Sequence, residues 1–152
     1  MITVSVISRE ELGLVDKFYG KVGYRGGVSK ADVTLVAKTN GELVGAVRLC
    51  EEEGGIVLRG MHVMPAFQRR GVGSMLLARC IPYLNLAAAY CLPYEHLVQF
   101  YGQAGFQVAK QGGLPPHLEE RMARYVSSGQ LVLAMWRPSL NRSLRRTAFG
   151  SS

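Results

Sequence analysis

Apolar residues along the chain fall into short runs, some alternating with polar residues and some continuous, separated by glycine, proline and paired polar positions. That rhythm predicts strands interleaved with helices. Residues 3–7 read as a strand. Ser8 and Glu11 follow at capping-box spacing, in which each side chain satisfies the other residue's free amide, so a helix is expected to begin there. Leu12, Val15 and Tyr19 give it one buried stripe, and residues 20–27 end it in a glycine-rich loop. Two β-rich runs, 33–38 and 43–50, flank Asn40-Gly41, the pair a tight hairpin requires. Residues 51–55 are expected to form a second, solvated turn, and 56–64 a third strand that Pro65 stops. A helix is expected over residues 73–80, ended or kinked by Pro82.

Further on, residues 87–92 read as a buried strand and 93–104 as a helix closed by Gly105. Residues 106–109 follow as a strand, 115–127 as a helix and 131–136 as the last strand. The order, a strand, a helix, three antiparallel strands and then alternating helices and strands, predicts an α/β (α+β) domain around a mixed sheet. With 152 residues and no repeat or linker, the expected organisation is one domain over 1–138 with a basic tail over 139–152.

Composition narrows the function classes. Hydrophobic content of 48% with 19% charged residues suits a folded core. No apolar run is long enough to span a membrane, and the N-terminus lacks a signal-peptide layout, so no membrane partner and a cytoplasmic location are expected. Cys50, Cys80 and Cys91 have no metal-ligand spacing; they are read as reduced buried thiols, and no metal is expected. The net charge of +7 raises the idea of a basic nucleic-acid-binding module. Four arginines, 137, 142, 145 and 146, lie in an acid-free C-terminal stretch, and removing them lowers +7 to +3. An anionic cofactor accounts for the remaining charge equally well.

The strongest local feature runs from strand to loop to helix: Val63, Met64, Pro65, then Gln68, Arg69, Arg70, Gly71, Val72, Gly73 and Ser74. Glycines at 71 and 73 allow close backbone approach, and free amides at a helix start suit a pyrophosphate. It is neither a Walker loop nor the dinucleotide fingerprint. Gln68-x-x-Gly71-x-Gly73 resembles the pyrophosphate motif of the GNAT superfamily of N-acetyltransferases, preceded by a similar Val-x-Pro strand end. Phe100-Tyr101 through Gly105-Phe106 resembles a second motif of that family, and Gly41-Glu42-Leu43-Val44-Gly45 a third.

The resemblance implies a GNAT fold, a central, mostly antiparallel sheet of six to seven strands flanked by helices. It also implies transfer of the acetyl group of acetyl-CoA to a primary amine by direct attack. The motif from Gln68 to Ser74 would hold the pyrophosphate; Met61, Val63 and Met64 would pair with the pantetheine arm, with an amide near Val63 as oxyanion donor. Residues 90–92 would form the opposite lip. Tyr101 would protonate the departing thiolate. Tyr94 stands where many family members carry an asparagine that touches CoA.

The family has no fixed base. His62, Glu51 and His96 are the candidates, although strand alternation sets His62 on the opposite face from Met61 and Val63 unless a bulge intervenes. Arg25, Arg48 and Arg59 would form an acceptor pocket for a small amine bearing an acidic group. The helix over 115–127 would cover it, with His117, Glu120 and Arg124 along one edge. A homodimer fits the resemblance. The competing readings are a non-catalytic CoA-binding domain and the nucleic-acid module.

Overall fold

In the computed structural model, which describes residues 1–140, the chain folds around one seven-stranded sheet. The elements are β1 (Thr3–Val6), α1 (Leu12–Val22), β2 (Val33–Thr39), β3 (Glu42–Glu52), β4 (Gly55–Val63), α2 (Val72–Leu84), β5 (Ala89–Cys91), α3 (Val98–Gly102), β6 (Gln107–Val108), α4 (Pro116–Ser127) and β7 (Met135–Arg137). The strand order is β1-β2-β3-β4-β5-β7-β6. Every neighbouring pair is antiparallel except β4 and β5. The mixed sheet is the one the hydrophobic pattern implied, and its seven, mostly antiparallel strands are those the family resemblance implied. Of the expected tail, Ser139 and Leu140 are described, and the Leu140 amide donates to the Asn85 carbonyl at 2.8 Å; the rest lies outside the described residues.

Two apolar layers hold the sheet. On one side α2 buries Val72, Leu76, Leu77, Cys80 and Leu84 against Leu35, Val47, Leu49, Ile56 and Leu58. On the other, α1 buries Val15, Phe18 and Tyr19 against Val36 and Ala46. Each large side chain so buried contributes about 1.5–3 kcal/mol. The first layer continues across β5 and β7 through Ala89, Cys91 and Met135 and ends on Tyr101 and Phe106.

Four local expectations need correction. Ser8 and Glu11 do not form the reciprocal cap: the Ser8 hydroxyl donates to the Glu11 carboxylate at 2.9 Å, and a 3-10 turn precedes α1. The carboxylate also accepts from Lys38, 3.1 Å away. Second, α2 does not end at Pro82 but runs on to Leu84. Pro82 and Ala78, whose carbonyl loses its donor, are both exposed, so water can satisfy the freed group. Third, the helix expected over 93–104 is a 3-10 turn (Glu95–Leu97) followed by the short α3. Fourth, the turn expected over 51–55 is only Glu53-Gly54, so Glu52 remains in β3 and keeps a strand's fixed direction.

Candidate active site

The parallel pair β4–β5 is registered only at Ile56–Ala89 and Val57–Tyr90. Beyond Val57, β4 runs on for six residues with no partner on that edge, and a cavity of about 430 Å³ opens beside it. That volume suits a small-molecule site. Met61, Val63 and Phe67 form one wall; Gln68, Arg69, Gly71, Val72, Gly73 and Ser74 form the end; Leu97, Phe100 and Tyr101 form the other wall. The residues expected from the sequence therefore converge, apart from Met64 and Arg70. Met64 packs against the core, and the Arg70 guanidinium sits over the Phe67 ring, 5.5 Å from its centre. The second wall comes from Leu97, Phe100 and Tyr101 rather than from residues 90–92.

The loop before α2 is shaped by its backbone. Gly71 caps the helix at φ 79°, a left-handed conformation that costs a side-chain-bearing residue roughly 1–2 kcal/mol. Arg69 is also left-handed, at φ 63°. Gly73 matters for proximity: a Cβ there would lie 3.3 Å from the Phe100 ring. The Gln68 amide donates to the Val63 carbonyl at 3.1 Å and ties the loop to the end of β4. The first turn of α2 carries no acidic residue, so its free amides and positive dipole end remain available to an anion.

Tyr101 closes the cleft from α3, 6% exposed, with its ring edge-on to Phe100 at 4.9 Å and to Phe106 at 6.2 Å. Burial, with the nearby Cys91 and Cys80 thiols, pushes its phenol well above the usual tyrosine value. The hydroxyl is therefore held protonated, as a donor. Burial also pushes Cys80 up to about 12 and Cys91 higher, which keeps both thiols unreactive.

The opposite face of β4 is polar. Ala46 pairs with His62, but Arg48 pairs with Arg59, so Gly60 and Met61 together face the single residue Val47. This is a β-bulge, with Gly60 at φ 66°. A Cβ on Gly60 would fall 2.7 Å from the Tyr19 hydroxyl, which donates to the Gly60 carbonyl at 2.9 Å. The extra residue resets the alternation and brings His62 onto the α1 side with Arg59. There its ring lies 5.0 Å from Tyr24 and 6.2 Å from Tyr19, half-buried, and burial lowers its pKa below the usual imidazole value.

The three arginines expected to form an acceptor pocket fare differently. Arg48 and Arg59 are directly opposite in the ladder. Arg48 is 4% exposed and donates to Asp32 at 2.8 Å, to the Tyr24 hydroxyl at 2.9 Å and to the Gly26 carbonyl at 3.3 Å. Burial works against its charge, but the bonds to Tyr24 and Asp32 outweigh that and hold it protonated. Arg48 is thus corrected from a ligand contact to an internal ion pair that fixes the loop after α1. Arg25 is exposed in that loop. Arg59 is half-buried, with its nearest carboxylate, Glu52, 3.9 Å away.

Glu52, read in the sequence as part of a solvated turn, is instead the carboxylate that ties α4 to β3. Arg121 donates to it at 2.8 and 3.4 Å, and His117 Nε2 lies 3.2 Å from it without the alignment of a hydrogen bond. His117 and Arg121 are one turn apart on α4, whose single fully buried side chain is Leu118. Glu120 and Arg124, expected on the same edge as His117, are exposed instead. The available signals were that Glu52 lies four residues beyond Arg48, on the same face of a continuous strand, and that His117 and Arg121 form an i, i+4 pair on α4. Of the remaining base candidates, His96 is exposed and stacks on Tyr94 at 6.0 Å, outside the cleft, and Glu51 is exposed. Among the described residues no group of three or more His, Cys, Asp or Glu could hold a metal ion, and no helix is long and apolar enough to cross a membrane.

Residues 30–108, just over half of the chain, match the family model described as an acetyltransferase (GNAT) domain. No protein of curated function matches the sequence. Many solved structures share the fold. The Rv2747 protein of Mycobacterium tuberculosis, in complex with CoA and NLQ, superposes with a TM-score of 0.66 at 18% identity, over 90% of this chain and 98% of that one. The ribosomal-protein-S18-alanine N-acetyltransferase of Escherichia coli gives 0.61 at 15% identity, over 91% and 94%. N-acetylglutamate synthase of Neisseria gonorrhoeae, complexed with coenzyme A and N-acetyl-glutamate, gives 0.62 at 18%, over 91% of this chain and only 35% of that larger one.

Proposed function

The chain belongs to the GNAT acetyltransferase family, and from that premise we propose that it moves the acetyl group of acetyl-CoA to a primary amine by direct attack. The carrying observation is the convergence in one cleft of three groups: the unpartnered edge of β4, the free amides of α2 and the protonated Tyr101 phenol. The amides of residues 71–74 would take the pyrophosphate, with Arg69 adding charge at the rim. Backbone groups of Met61 and Val63 would extend the sheet along the pantetheine arm, and an amide of the same stretch would face the developing oxyanion. Tyr101 would give its proton to the thiolate as the C–S bond breaks.

The acceptor would arrive from the α1 side, over Tyr24 and His62, with α4 as the far wall. Arg59, whose only ion-pair partner among the described residues is the long contact to Glu52, would meet an acidic group there, and Arg25 would reach it from the loop. A small amine with a carboxylate or phosphate is the acceptor class this charge supports. Coenzyme A complexes of the Mycobacterium and Neisseria proteins, and the acidic product held by the latter, support the same reading. Residues 1–138 are proposed as the catalytic domain. The test is thiol release from acetyl-CoA across amino acids and phosphorylated amino sugars, with Arg59→Ala as control. Acidic amines should react fastest and lose that advantage in the variant; equal rates for neutral and acidic amines would remove the arginine assignment.

A further inference from the structure

Resting on the transferase reading, we infer that His62 is the base that takes the proton from the incoming ammonium group, and that the Gly60 bulge is what turns it to that position. An amine attacks only with its lone pair free, and an alkyl ammonium of pKa about 10 is almost wholly protonated at neutral pH. A proton acceptor is therefore needed on the face from which the acceptor comes.

Unbroken alternation from Arg59 would send His62 to the α2 side. The bulge reverses this, pairing His62 with Ala46 on the side of α1. The residues before and after it, Met61 and Val63, line the cleft on the other face. A thioester carbonyl held against this stretch of β4 is thus within one residue of His62, with only the strand between the two faces. Tyr19 holds the bulge through the Gly60 carbonyl, and Tyr24 packs beside the imidazole. The base is placed by residues that have no part in the chemistry.

The surroundings favour a neutral ring. Tyr19 faces it from α1, Tyr24 from the following loop, and Arg48 and Arg59 share its sheet face from β3 and β4. Asp32, in the loop before β2, is bound to Arg48. No carboxylate pairs with the imidazole among the described residues, and its burial opposes protonation. The rival groups are committed or distant: Glu52 is engaged by Arg121, and His96 stacks on Tyr94 outside the cleft.

The proton account closes. His62 takes one proton from the ammonium group, directly or through one water. The amine lone pair forms the C–N bond while the carbonyl π pair moves to oxygen. Collapse of the adduct breaks the C–S bond; Tyr101 protonates the sulfur and is restored by the second proton leaving nitrogen. The products are the N-acetyl compound and free thiol, and His62 returns one proton to water.

The test uses the full chain with a mixture of the twenty amino acids and glucosamine 6-phosphate as acceptor probes. His62→Gln should lower turnover near pH 7 roughly 100-fold, leave acetyl-CoA affinity by calorimetry unchanged, and recover toward wild type above about pH 9, where free amine exists without a base. Wild-type turnover with an unchanged pH profile overturns the inference. So does a loss that alkaline pH fails to relieve, because that is a packing defect. A second measurement needs no acceptor: proton NMR titration of the three imidazoles in the acetyl-CoA complex, with His62 identified by its absence in the variant. A neutral His62 at pH 7 is expected, and a protonated one contradicts its role. If wild type acetylates none of the probes, the acceptor reading fails separately, and the titration still decides whether His62 can take a proton.

Discussion

On the α2 side of β4, the surfaces facing the cleft are backbone or apolar: unpaired strand groups, helix amides, Met61, Val63, Phe67, Leu97 and Phe100. On the α1 side, within the same few residues, the strand presents His62 and Arg59 beside the Arg48–Asp32 pair and the Glu52–Arg121 pair. The first surface is built by local rules, a left-handed glycine, a capped helix and a strand that ends at a proline. The second is built by residues far apart in sequence: Arg48 meets Asp32 and Tyr24, and Glu52 meets Arg121 from 69 residues away. A ligand held through backbone needs few side chains, whereas selecting one amine among many needs charges held in fixed places.

That contrast can be broken from either side. The largest effect is expected from Gly71→Glu, which forces a side chain into a left-handed cap and sets a carboxylate beside the phosphate-binding amides. Acetyl-CoA binding should be lost with the fold intact, as read by calorimetry and circular dichroism. Tyr101→Phe should come next, with turnover down roughly 100-fold and cofactor affinity nearly unchanged; full activity would reduce Tyr101 to a packing residue.

Gly60→Ala attacks the hinge between the two surfaces. With its Cβ against the Tyr19 hydroxyl and φ at 66°, it should cost about 2 kcal/mol of stability in denaturant titration and move His62 away from Tyr24. Glu52→Gln should be milder, about 1 kcal/mol or less, because Leu118 still anchors α4. Proteolysis within 116–127 should accelerate without loss of acetyl-CoA binding.

The smallest effect near neutrality is a pH dependence. Cys50 and Cys80 are pushed up to about 12 by burial, and Cys91, Tyr19 and Tyr101 are raised higher for the same reason. Groups raised in the folded state contribute stability that is complete below their unfolded values, about 8.5 for thiols and 10 for phenols. Stability should therefore fall as pH climbs above about 8.5, and Tyr101→Phe should flatten the part above pH 10. A melting temperature that holds constant to pH 11 would contradict this.

The sequence made the cleft side readable because its devices are local. Pro65, Gly71 and Gly73 each act on the backbone where they stand, and the Asn40-Gly41 pair makes the β2–β3 turn, whose register holds to Lys38 and Leu43 before a bulge shifts it. The acceptor side was legible only in its ingredients. Arg48 and Arg59 stood out as charges in apolar strands, but burial of Arg48 against Asp32 depends on the loop after α1 folding back. His62 lies on the face opposite Met61 and Val63, as alternation predicted, but its sharing that face with Arg59 was not readable, because the bulge at Gly60 reverses the count between them. Glu52 was hidden among three consecutive glutamates, two of which lie in β3, and it is Glu52 that meets Arg121 of α4. The helix expected over 93–104 failed for a related reason: Pro93 and the bridge of Tyr94 to Val132 keep the chain extended there, and the 3-10 turn begins only at Glu95.

The central claim is that the gap beside β4 and the amides of α2 form an acetyl-CoA site. Calorimetric titration of the full chain with acetyl-CoA, using ATP as a phosphate-bearing control, tests it most directly. The account predicts saturable binding of acetyl-CoA at one site per chain, lost in Gly71→Glu, with ATP binding far more weakly. Equal binding of the two, or acetyl-CoA binding that survives Gly71→Glu, would make the loop a general anion site and contradict the account.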